Sequence, residues 1–167
     1  MHDTELERSA CKQLKRLLKT YDLSKWTYTD LDLIDSSTIP HSHPVLTLNT
    51  RWAGNENQIL ASLLHEQIHW LLSSRLDKVD AAIRDLRTFY PTVSKSPPDG
   101  ARDEKSTYLH LVVHYLEYQA LTELLGATTA TMVLEERQQA FYKWIYGKVL
   151  TDTKQIGDTV RRHGLEV

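Results

Sequence analysis

The residues with the clearest chemical spacing lie in SLLHEQIHWLL, Ser62 to Leu72, where His65 and His69 stand four apart with Glu66 beside the first. Positions four apart share one face of a helix, so two imidazoles placed this way can reach the same cation. Zinc takes such nitrogens at ~2.0–2.1 Å and in catalytic sites keeps one coordination position open for water. Glu66 is rotated about a quarter turn from His65, too far round to ligate with it. It remains within reach of a water in the open position, where it acts as general base and returns the proton later in the reaction. Five leucines flank the pair (Leu60, Leu63, Leu64, Leu71 and Leu72), which predicts a buried helix that holds the ligands rigidly.

A second polar stripe occurs downstream. In TYLHLVVHYLEYQALTELLG, residues 107–126, His110, His114 and Glu117 follow at spacings of four and three and so share one helical face. They interrupt an otherwise apolar helix and need partners if buried. Each is a candidate third ligand, as are His41 and His43 of the loop IPHSHP, whose plainer reading is a surface loop before a strand.

His65-Glu66-Gln67-Ile68-His69 resembles the HExxH active-site helix of the zincin metallopeptidases. The resemblance covers these five residues, and more loosely the strand–turn–helix context from Val45 onward. It implies a zinc-dependent peptidase or amide hydrolase, with a peptide or protein as substrate and the strand VLTLN holding the substrate backbone. The extended metzincin spacing requires a histidine where this chain has Arg75. The other common arrangement takes a glutamate from a later helix. Glu117-Tyr118-Gln119-Ala120 is similar to the Glu-x-x-Ala pattern of gluzincin-type enzymes, although Leu121 replaces the acid or amide that often follows. The resemblance thus implies His65, His69 and Glu117 as metal ligands and Glu66 as base. With Glu117 ligating, His110 lies two turns away on the same face, where it can hydrogen-bond a tetrahedral oxyanion. The alternative from another functional class is a non-catalytic, metal-stabilised binding or regulatory module with a closed four-ligand site.

The elements that must position these residues are read from periodicity. A capping box, Thr4 with Glu7, opens a helix over about Glu5–Thr20 with Leu6, Ala10, Leu14, Leu17 and Leu18 at helical spacing. Trp26 to Ile34 and Val45 to Asn49 read as two strands of a small antiparallel sheet. Helices are expected over about 57–74, 77–88, 104–125 and 131–150, with a short one near 155–162. Gly126 caps the fourth helix, and the proline-rich stretch 91–103 is a candidate mobile element over the site. The expected class is α+β, helix-dominated, one zincin-like domain over residues 1–167 with the sheet packed on the active-site helix.

Composition narrows the setting. The 167 residues carry a net charge of -2 and a single cysteine. That balance offers no general attraction to nucleic acid or anionic membrane, and one cysteine forms no internal disulfide. With no signal-like or membrane-length apolar run, a cytoplasmic protein is expected. Lys12, Lys15, Arg16 and Lys19 read as the solvated face of the first helix. Cys11 reads as a small buried residue, and Glu56 and Glu123 as exposed helical charges. Trp52, Trp70, Tyr142, Trp144 and Tyr146 read as packing residues.

Overall fold

Helix α1 (Glu5–Thr20) begins as expected: the Thr4 hydroxyl accepts from the Glu7 amide and the Glu7 carboxylate accepts from the Thr4 amide. The computed structural model describes residues 3–167, which divide into two compact units, Met1–Leu71 and Leu72–Val167. In the first unit α1 buries Ala10, Leu14 and Leu17, while its five basic residues and both Leu6 and Leu18 stay exposed. A one-turn 3₁₀ helix (Ser24–Trp26), β1 (Asp32–Ile34), β2 (Leu46–Leu48) and α2 (Glu56–Ser73) follow. Trp26, Leu46, Leu48, Leu60 and Leu64 complete this core.

The expected first strand is much shorter than its Thr- and Tyr-rich sequence suggests. Gln67 of α2 is the reason. Its amide oxygen accepts from the amides of Tyr28 (2.6 Å) and Thr29 (3.0 Å), and its amide nitrogen donates to the Thr29 carbonyl at 3.0 Å. One buried side chain thereby satisfies backbone groups that a ladder would otherwise have used.

The two strands pair in parallel, Asp32 with Leu46 and Ile34 with Leu48, not antiparallel as expected. An antiparallel hairpin needs a tight turn, whereas residues 35–45 loop back fully and bring β2 in alongside β1. On the way His41 forms an antiparallel bridge with Thr47, using both the amide and the carbonyl of Thr47. The centre of VLTLN is therefore occupied on its far edge, which removes the open strand edge that the zincin resemblance implied for substrate.

Glu7 also ties α1 to the end of β1. Its carboxylate accepts from the Ser36 amide (2.8 Å) and hydroxyl (2.9 Å), and these bonds with those from Thr4 hold its pKa down to about 2. A folded value below the ordinary one stabilises the fold above the ordinary carboxylate range, and the contribution is lost as the pH falls. Glu7→Gln is therefore expected to lower the melting temperature at pH 7, with the difference closing between about pH 4.5 and about pH 2. Thermal melts across that window check it, and a difference independent of pH would refute it.

The second unit holds α3 (Leu76–Phe89), α4 (Glu104–Leu125), α5 (Ala127–Ala140), α6 (Lys143–Thr151) and α7 (Thr153–Arg162). Helix α3 buries Val79, Ala82, Ile83 and Leu86, the four residues its periodicity selects. Gly126 ends α4 at φ 83, a conformation that costs glycine nothing. The stretch 91–103 is fastened by its second half. The Thr107 hydroxyl donates to the Ser94 carbonyl and accepts from the Ala101 amide. The carbonyls of Pro98 and Asp99 accept from the amides of Lys143 and Trp144 at the start of α6.

The expected single helix over 131–150 is two helices. Phe141 is extended (φ -158) and Tyr142 is left-handed (φ 52, ψ 35), and α6 restarts at Lys143. No glycine or proline marks this break. The carbonyls of Pro98 and Asp99 give the first amides of α6 acceptors outside the helix, which allows a new N-terminus there. Among the described residues no helix is long and apolar enough to cross a membrane.

Candidate metal centre

Asn55 opens α2 by accepting from the Gln58 amide through its side chain. Along α2, Gln58, Ser62, His65 and Glu66 are buried and His69 is half-buried, so the polar stripe runs inside a largely apolar helix. The imidazoles of His65 and His69 converge: their Nε2 atoms are 3.2 Å apart and their rings meet edge to face, centroids 4.9 Å apart. Two nitrogens each ~2.0–2.1 Å from a tetrahedral zinc stand roughly 3.3–3.4 Å apart, so the pair already has the spacing of two ligands of one ion.

Trp70 follows directly and anchors the histidine-bearing loop. Its indole nitrogen donates to the Ser42 carbonyl at 2.8 Å, and the His43 ring stacks on it at 4.1 Å. Trp70 is thus half-buried against a loop instead of filling the core. His41 is held by its backbone pairing with Thr47 and a 3.0 Å bond between Nδ1 and the Ile39 carbonyl.

On α4, started by Asp103 accepting from the Ser106 amide at 2.7 Å, the second stripe is buried throughout. His110 Nδ1 lies 2.7 Å from the Ser106 carbonyl. A carbonyl only accepts, so Nδ1 is the donor here and Nε2 is the nitrogen a metal would take. His114 Nδ1 lies 2.8 Å from Glu117 Oε2, with neither side chain reaching solvent. Arg137 of α5, itself 4% exposed, sets its Nε 3.8 Å from the other carboxylate oxygen. Glu117 thus lies between a histidine and a guanidinium that matches its charge.

Aromatic rings complete the surroundings. Tyr142 stacks on His110 (centroids 4.8 Å, interplanar 27°) and lies 5.1 Å from the His114 ring. Tyr146 lies 4.1 Å from His114 and is fully buried; burial, and then the Glu117 carboxylate, push its phenol well above the ordinary value. It is a neutral wall at any working pH. Sequence reasoning assigned Tyr142 and Tyr146 to packing and passed over Arg137, which sits in the polar run LEERQQA with no periodic signal.

Of the expected ligands, the structure brings His65 and His69 together within the first unit, and His110, His114 and Glu117 together within the second. Comparison with protein-family models, with curated proteins and with solved structures finds no match.

Proposed function

We propose that this protein is a zinc-dependent hydrolase of peptide or other amide bonds, with α2 as its catalytic helix. The observation that carries the reading is the 3.2 Å approach of the His65 and His69 Nε2 atoms, the separation of two ligands on one zinc ion. We take His110 as the third ligand. Its Nδ1 is bonded to the Ser106 carbonyl, so Nε2 is the nitrogen it would offer to a metal. Glu117, the ligand that the gluzincin resemblance implies, serves instead as the carboxylate that orients His114 and pairs with Arg137. A zinc ion held by these residues would supply Lewis acidity and would lower the pKa of a bound water toward ~7. Glu66 is the proton carrier of the reaction: base for that water, then acid for the leaving amine.

A second reading is a closed structural metal site in a non-catalytic module. It is favoured by the complete burial of His114 and Glu117. Metal analysis of purified protein separates the two. Wild type is expected to hold about one zinc per chain, as a three-ligand catalytic site does. His110→Ala is expected to lose most of it, while Glu117→Gln keeps it. The reverse order would make Glu117 the ligand, and wild type without stoichiometric zinc would end the hydrolase reading.

A further inference from the structure

We propose that the exposed face of α1 is a docking surface for a short acidic segment of another protein, whose carboxylates meet Lys12, Lys15 and Lys19 and whose apolar side chain meets Leu18. An α-helix turns about 100° per residue, so Arg8, Lys12, Lys15, Arg16 and Lys19, all exposed, fall on one strip about 100° wide. The two arginines are engaged within the fold. Arg8 pairs with Asp3 at 3.2 Å, and Arg16 pairs with Glu56 of α2 at 2.7 Å. Among the described residues nothing hydrogen-bonds or ion-pairs with the three lysines. They occupy the middle of the strip, within about 60° of one another and over about 10 Å of helix. Glu5, the carboxylate on the same side, stands before them in the first turn. Cations three and four residues apart repel and weaken the helix that carries them, and carboxylates laid along them relieve this. Leu18, three residues beyond Lys15 and so its neighbour at the edge of the strip, is 46% exposed, whereas Ala10, Leu14 and Leu17 of the same helix are buried.

Charge complementarity and the surroundings of the strip select the occupant. Beyond α1 the basic residues of this unit are Lys25 and Arg51 alone, while Asp22, Asp30, Asp32, Asp35, Glu56 and Glu66 are acidic. At physiological salt each charge acts over about 8 Å, so a short anionic segment feels the lysines and little else. A long polyanion that followed the strip past Thr20 would meet Asp22 and the repulsion beyond it. A bilayer fits poorly for a second reason. A helix lying in a membrane surface buries a broad apolar face, and that face of α1 is already taken by the core. A phosphate backbone offers nothing apolar to Leu18. A peptide helix with carboxylates at spacings of three and four and an aliphatic residue beside them matches both the lysines and Leu18.

The test uses fluorescein-labelled helical peptides bearing glutamates at spacings of three and four, or of four and three, so that either direction of docking is covered. Each carries one leucine beside the glutamates, and glutamine counterparts serve as controls. Fluorescence anisotropy of the full chain should show binding to a glutamate peptide, not to its glutamine counterpart, and the affinity should fall as salt rises. Lys12→Gln/Lys15→Gln/Lys19→Gln should bind roughly tenfold more weakly, the product of three exposed pairs contributing about twofold each. Its melting temperature should be no lower than that of wild type, because the substitutions remove like-charge neighbours. Arg51→Gln/Lys143→Gln/Lys154→Gln, the same change of charge at three other exposed positions, should bind as wild type does. Replacing the peptide leucine by serine should weaken binding to wild type and leave binding to Leu18→Ser unchanged. Failure of wild type to bind either glutamate peptide, or an equal loss in both triple variants, would overturn the proposal. Vesicles of phosphatidylserine and phosphatidylcholine, and single-stranded RNA, are titrated in parallel. Tighter binding to either through the same three lysines would likewise overturn it.

Discussion

Glu66→Gln is expected to keep its zinc and lose its activity. The substitution preserves the size and shape of the side chain and removes only its capacity to take a proton. Glu66 is buried, next to His65 in sequence and about a quarter turn from it on α2, so a neutral isostere disturbs the packing little. General acid–base groups contribute ~10²–10⁴-fold, and kcat/KM should fall by that factor. The measurement is turnover of a peptide library by both proteins, with zinc content determined on the same samples. A Glu66→Gln protein that holds zinc and cleaves every substrate at the wild-type rate would remove Glu66 from the chemistry. His65→Ala provides the contrast, since it should lose metal and activity together.

Removing the charge of Arg137 is expected to be the most destabilising single change. Arg137→Met keeps an apolar stem of similar length and leaves Glu117 fully buried without its guanidinium partner. Breaking a buried ion pair from one side costs about 3–5 kcal/mol, because the remaining charge has no solvent to turn to. For a chain of this size that corresponds to a fall in melting temperature on the order of 10 °C. The double variant Arg137→Met/Glu117→Gln should recover part of the loss, since it removes the uncompensated charge as well. Calorimetry of the three variants checks this. Equal melting temperatures for wild type and Arg137→Met would show that the Glu117 charge is balanced elsewhere.

The two helices that carry the candidate ligands were legible from spacing alone. A polar residue every three or four positions in an apolar helix is costly unless something meets it, so His65, His69, His110, His114 and Glu117 call for buried partners. Helix α1 was equally plain, because its capping box and its apolar stripe are local signals. The failures have a common cause. The direction of β2 against β1 depends on the path of residues 35–45, and the loss of residues 27–31 from the first strand depends on the amide of Gln67. In both places a partner distant in sequence supplied what local propensity could not specify.

By itself, the order of residues determined that two imidazoles share one helical face with a carboxylate about a quarter turn away, and that a second helix carries two more histidines and a glutamate. Helical periodicity is a property of the backbone and needs no distant partner. Which neighbours each of those later side chains meets was decided in three dimensions. His110 is set by the Ser106 carbonyl, Glu117 is taken by His114 and Arg137, and Tyr142 reaches the histidines only because its helix breaks where the Pro98 and Asp99 carbonyls accept its first amides. A hydrogen bond or ion pair depends on the position of both partners, and only folding brings partners distant in sequence together.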